Sequence, residues 1–226
     1  MQSTWNEFPL ALYVQEIGPL REVLANVRLL RQMNARLYLP LDRDENYAYA
    51  RILCSLGVAI TVVEGVTCPD WDALLDLATY AILGRVAHAL LDPFTVMANQ
   101  YNPSEPLNVS SVYFNNPARY LHLSQDGKVA FDEEDLQAGR YVLDSVDQLD
   151  TLPECPAYER RLSAWRGVFL RFEGCSICPA WRVCLGRMSK YAPDLHGCRE
   201  YSTELLEILD QQFQRKTQRR KQIWQP

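Results

Sequence analysis

The first 83 residues alternate between two hydrophobic periods, and this alternation restricts the possible architectures more than any other feature of the chain. Leu10 to Ile17 reads as a short strand that stops at Gly18-Pro19. Leu20, Val23, Leu24, Val27, Leu30 and Met33 then recur at three- and four-residue steps, the stripe of an amphipathic helix. Arg36 to Leu41 is a second expected strand, and Asn46 to Leu56 a second helix that stops at Gly57. Val58 to Val63 is β-branched and nearly all apolar, as buried parallel strands are. Asp70 is placed to cap a third helix whose apolar positions include Trp71, Leu74, Leu75, Leu77 and Ala78. Strands and helices alternating at this interval specify βα units, a parallel sheet and right-handed crossovers.

The pattern changes after Pro93-Phe94. Residues 98–118 hold three prolines and five asparagines, the composition of a long loop or linker. Tyr120 to Phe131 reads as a β-hairpin, and Asp126-Gly127 at its tip predicts a two-residue turn. Leu149 to Glu154 is a break, and Tyr158 to Phe172 is helical. A cysteine-rich loop and an amphipathic helix from Ser202 to about Phe213 follow. Arg215 to Lys221 carries five Lys/Arg. It reads as a solvated helix end whose cations suit the C-terminal dipole, with a docking patch as the alternative.

Cys175, Cys178, Cys184 and Cys198 are spaced C-x2-C-x5-C-x13-C. Four thiols within 24 residues suffice for one metal centre. Thiolates are soft ligands that select zinc, Cu(I) or iron–sulfur clusters. Two disulfides are the competing use, but seven cysteines is an odd number and 226 residues is outside the small disulfide-dense class. Zinc sites with four cysteines usually pair two C-x2-C knuckles, and only one is present. The wider x5 gap suits a [4Fe–4S] cube, so a cluster is expected and zinc is the alternative.

The bulk properties narrow the setting. An apolar fraction of 48% is that of a folded globular chain. A net charge of −5 disfavours a nucleic-acid partner. No run approaches 18 apolar residues, so no membrane span is expected. Met1-Gln-Ser-Thr-Trp does not resemble a signal peptide, and the cysteine usage points to a reducing cytoplasm.

The hairpin, the helix after it and the C-x2-C-x5-C loop together resemble the SPASM domain, the C-terminal extension of many radical S-adenosylmethionine (SAM) enzymes that modify peptides and proteins. The likeness covers about residues 120–213, and the cysteine loop is its most specific part. The preceding βα units resemble, more weakly, part of the radical SAM partial barrel. SPASM domains hold two auxiliary [4Fe–4S] clusters. The resemblance implies that Cys175, Cys178, Cys184 and Cys198 are the full ligand set of the second. The first is missing its ligands: Met188 stands where one cysteine is expected, and Asp132 stands where another is.

The catalytic C-x3-C-x2-C motif is also absent. Cys54, Cys68 and Cys155 are too far apart to supply it. Cys54 reads as a small core residue, and Cys68 and Cys155 as loop residues preceding proline. His88 lies in an apolar run and reads as a core histidine. His122 sits on the hairpin, opposite in facing to Leu121 and Leu123. His196, two residues before Cys198, could hydrogen-bond or ligate the metal. Asp42, Asp44 and Glu45 form an acidic group at the end of the second strand, best read as a solvated loop.

The expected fold is therefore α/β. It comprises a truncated radical-SAM-like partial (βα) barrel or open parallel sheet over residues 1–97, a linker over 98–118, a small SPASM-like α+β metal module over 119–213 and a basic tail over 214–226. The expected function is that of an iron–sulfur protein with no radical SAM activity of its own. It would serve peptide or protein modification as an accessory, beside a protein or peptide partner such as a heteromeric modification enzyme. The alternatives are an enzyme, alone or with a co-subunit, whose site lies in the βα half, and a zinc-stapled interaction module.

Overall fold

The computed structural model describes residues 10–14, 20–41, 43–63, 68–105, 116–167, 173–184 and 195–223. The expected strand residues 15–17, the Gly18-Pro19 break, Asp42, residues 168–172 and Met188 lie outside these. The chain forms two compact units. One is Met1–Leu107 together with Arg182–Pro226, and the other is Asn108–Trp181.

The first unit is built on a parallel sheet with strand order β1-β2-β3-β4. The strands are β1 (Leu10–Tyr13), β2 (Ala35–Pro40), β3 (Ala59–Val63) and β4 (Leu91–Asp92). Between them lie α1 (Leu20–Gln32), α2 (Asp44–Ser55) and α3 (Trp71–Leu83). Each strand pairs with the next in sequence, so right-handed crossovers put the helices on one side. α1 packs on α2, and α2 on α3. Leu37, Leu39, Ile60, Val62 and Leu91 share one face of the sheet and are all buried. This face is the core.

Local signals placed the helix ends. Gly57 adopts φ 86° after α2, and the Val58 N–H reaches the Leu53 carbonyl while the Gly57 N–H reaches that of Cys54. This Schellman arrangement satisfies the last carbonyls and needs a residue tolerant of positive φ. Asp70 caps α3 as expected, accepting from the Ala73 N–H at 3.0 Å. α2 begins at Asp44, two residues earlier than its apolar spacing indicates, because Asp44 and Glu45 suit the positive end of the helix dipole.

Three expectations are corrected. Part of the presumed linker is α4 (Phe94–Gln100), with Phe94 and Met97 buried. The C-terminal helix runs from Leu195 to Ile223, so it includes Cys198 and most of the basic tail. Its buried residues Cys198, Tyr201, Ser202, Leu205 and Leu209 form one stripe. It packs on α3 and α4 through a Trp71–Tyr201 ring contact and a Tyr101 hydroxyl that donates to Asp210. Lys216 in the tail is tied down within the unit, donating to the Ala98 carbonyl at 2.7 Å.

The third correction concerns the second unit. It contains the expected hairpin, β5 (His122–Leu123) antiparallel to β6 (Val129–Ala130). Its turn is not the two-residue type. The Gly127 N–H reaches the Ser124 carbonyl, the Ser124 N–H reaches the Lys128 carbonyl, and Gly127 has φ 77°. This is a three-residue loop closed by a left-handed glycine. A short helix, α5 (Glu133–Gln137), follows, capped by the Asp132 side chain. The expected break at 149–154 is part of a 3-10 helix, Val146–Glu154. α6 (Pro156–Arg166) and α7 (Glu173–Ser176) complete the unit. α8 (Trp181–Cys184) begins at its last residue.

Candidate metal centre

Cys175 lies on α7, and the chain then turns twice in quick succession. The Cys178 N–H donates to the Cys175 carbonyl at 3.2 Å, and the Trp181 N–H donates to the Cys178 carbonyl at 3.1 Å. Pro179 has no N–H to place between them. The first turn folds the C-x2-C segment on itself. Burial pushes the Cys175 thiol up from its ordinary range, and the charge of nearby Cys178 adds to the shift. Ile177 between them is 67% exposed, so the tip of the turn faces solvent. Ala180 and Val183 are buried and anchor the segment that follows.

Cys184 is the last residue of α8 and is half-buried. Cys198 is buried on the core stripe of the C-terminal helix. Residues 185–194 between them lie outside the described residues. The structure thus brings Cys175 and Cys178 together. Among the described residues it gathers no set of three or more His, Cys, Asp or Glu side chains for a metal. All seven cysteines carry thiols and form no disulfide among the described residues. The donor chemistry fits the implied group in part: two soft thiols on one tight turn are half of a zinc or iron–sulfur coordination shell.

The remaining candidates occupy other roles. His196 is exposed and pairs with Glu200 one helical turn on, at 3.2 Å. Cys54 is buried on α2 and donates to the Ala89 carbonyl at 2.9 Å. Burial, with a smaller contribution from the charge of Asp92, pushes its thiol up to about 12. His88 is half-buried, with Nδ1 2.7 Å from the Ala89 carbonyl and its ring 5.0 Å from that of Tyr80. Cys155 is the N-cap residue of α6, and Cys68 is exposed. Asp44 and Glu45 are exposed on the first turn of α2.

Sequence reasoning missed the most buried polar residues of the sheet. Asp92 and Thr61 are 3% and 1% exposed, and Arg36 donates to Asp92 Oδ2 at 2.8 Å. Burial raises the Asp92 carboxyl above its ordinary range, opposed by Arg36 and the Val96 backbone N–H. The available signal was a carboxylate inside the apolar run Ala89 to Phe94. No family model, curated protein or solved structure matches the chain.

Proposed function

We propose that Cys175, Cys178, Cys184 and Cys198 ligate one [4Fe–4S] cluster, and that the chain is an iron–sulfur accessory in peptide or protein modification. The observation that carries this reading is the C-x2-C turn, closed by the Cys178 N–H on the Cys175 carbonyl and followed within six residues by a third thiol. Metal binding at cysteine loops is coupled to folding, so such a centre closes when the metal arrives. When bound, the cluster would supply one-electron transfer or a structural staple. Four protein thiolates leave no iron open to substrate. The chain's own residues would therefore hold the cluster and present the exposed Ile177 turn beside it.

A protein or peptide partner fits the same reading. β1 is an edge strand of the sheet, and its Leu12 and Tyr13 are 38% and 46% exposed. Edges of this kind are usually paired or covered.

The test is anaerobic purification followed by iron, acid-labile sulfide and zinc determination and electron paramagnetic resonance of the reduced protein. Iron and sulfide in equal amounts, with a reducible cluster signal, support the proposal. Stoichiometric zinc without sulfide selects the zinc-stapled module instead, because the C-x2-C turn is equally a zinc knuckle. Protein free of both metals overturns the centre.

A further inference from the structure

Cys175 and Cys178 have two residues between them, whereas the next-closest pair in sequence, Cys178 and Cys184, has five. The Cys178 N–H donates to the Cys175 carbonyl at 3.2 Å, so the segment is a four-residue turn. A turn of this kind holds its first and fourth Cα atoms within about 7 Å of each other. Disulfides join Cα atoms about 4.4–6.8 Å apart, so the backbone already holds the two cysteines in bridging range. Their side chains also lie close enough for the charge of Cys178 to act on the Cys175 thiol.

The pair is open to small molecules. Both thiols are half-buried, and Ser176, Ile177 and Pro179 around them are exposed. Cys54 and Cys198, in contrast, are buried. The helix that carries Cys175 is four residues long, so it has little stability of its own to oppose the small adjustment an S–S bond requires.

We propose that Cys175 and Cys178 form a reversible disulfide site, closed by low-molecular-weight disulfides of the oxidised-glutathione type, and that the closed form does not hold the metal. The second half of this proposal rests on the metal reading above, and the first half does not. Closure proceeds by thiol–disulfide exchange. One thiolate of the pair attacks a glutathione sulfur, breaks the glutathione S–S bond and releases one glutathione thiolate. The other thiolate attacks the protein sulfur of the mixed disulfide and releases the second. The two protein thiols lose two electrons and two protons, and one glutathione disulfide becomes two glutathione thiols. Metals take cysteine as thiolate, and a bridged sulfur is no longer one. Bridging therefore withdraws two of the four proposed ligands.

The experiment treats full-length, metal-free protein with excess oxidised glutathione, alkylates the remaining thiols and digests with trypsin. The peptide Phe172–Arg182 contains Cys175 and Cys178 and no other cysteine. It should be recovered unalkylated and lighter by two hydrogens than the reduced peptide, and a dithiol reductant should restore two alkylatable thiols. Oxidised protein should take up about tenfold less metal, supplied as Zn(II) or as Fe(II) with sulfide, and the reductant should restore uptake. In Cys178→Ser the same peptide should carry a glutathione adduct on Cys175 instead. Two alkylated thiols in the oxidised wild type, a persistent glutathione adduct there, or a bridge to another cysteine overturns the disulfide site. A bridge that forms and leaves metal uptake unchanged overturns its control of the metal. Reduced protein that takes up no metal yet forms the bridge overturns the metal reading and that control together, and supports the disulfide site alone.

Discussion

Leu39, Ile60 and Leu91 in the sheet are completely buried, whereas Ile177, at the tip of the cysteine turn, is 67% exposed. The sheet is held by its own packing: apolar side chains meet between strands and helices, and a parallel ladder joins each strand to the next. The cysteine segment has two four-residue helices and a pair of tight turns. Helices that short have no stability of their own in water. The contrast teaches that two sources of order operate in one chain. Apolar burial is sufficient for the sheet, while the cysteine segment requires an added bond, which the proposed metal would supply.

The largest effect should therefore come from removing a ligand. Cys175→Ser, Cys178→Ser, Cys184→Ser and Cys198→Ser should each abolish stoichiometric metal, measured by elemental analysis of protein purified without oxygen. Cys54→Ala, Cys68→Ala and Cys155→Ala should retain it. Loss of metal in any of these three would show that the two sources of order are not separable as described.

Breaking the other side of the comparison should cost stability and spare the metal. Phe94 is 1% exposed at the start of α4. Phe94→Ala should destabilise the protein by about 3–5 kcal/mol, read from urea unfolding. Its metal content should match wild type. A variant that lost both would show that the sheet unit and the metal stand or fall together.

The same contrast explains what could be read in advance. β2, α2, β3 and α3 were legible because each has enough residues to show a period of 2 or 3.6, with Gly57 and Asp70 marking ends through local chemistry. β4 has two residues, too few for any period, and Asn99 with the asparagines and prolines that follow α4 suggested a loop. The C-terminal helix was underestimated because its outer turns are charged, and its order comes from packing on α3 and α4. The cysteines were legible as a spacing. The buried polar residues of the sheet were not: Thr61 and Asp92 lie far apart in the chain, and strand register alone brings them together.

Asp92 gives the sheet a pH signature of its own. The Asp92 carboxyl is raised in the folded state, mainly by burial. Folded protein then holds a proton that the unfolded chain has released. The contribution of Asp92 is fully present below the unfolded value, near 3.8, and is lost as pH rises through the folded value. Wild-type stability minus that of Asp92→Asn should fall with pH across this window, measured by urea unfolding at a series of acid pH values. A difference that rose with pH would mean that Arg36 outweighs burial.

The smallest expected effect lies in the hairpin, where order is local. Gly127 has φ 77° and nothing lies within 4 Å of where its Cβ would be. Gly127→Ala therefore meets no steric obstacle from neighbours and tests backbone conformation alone. An alanine in the left-handed region costs about 1–2 kcal/mol. The substitution should lower stability by that amount and leave metal content unchanged. Ser124 also supports this turn through its side chain, accepting from the Lys128 N–H at 2.9 Å, so the loop should keep its form as it weakens. A cost near zero would indicate that the hairpin exchanges to the two-residue turn its Asp-Gly pair suggests, with a shift in register. Cross-strand contacts between Leu123 and Val129, followed by NMR, would separate a weakened loop from a slipped one.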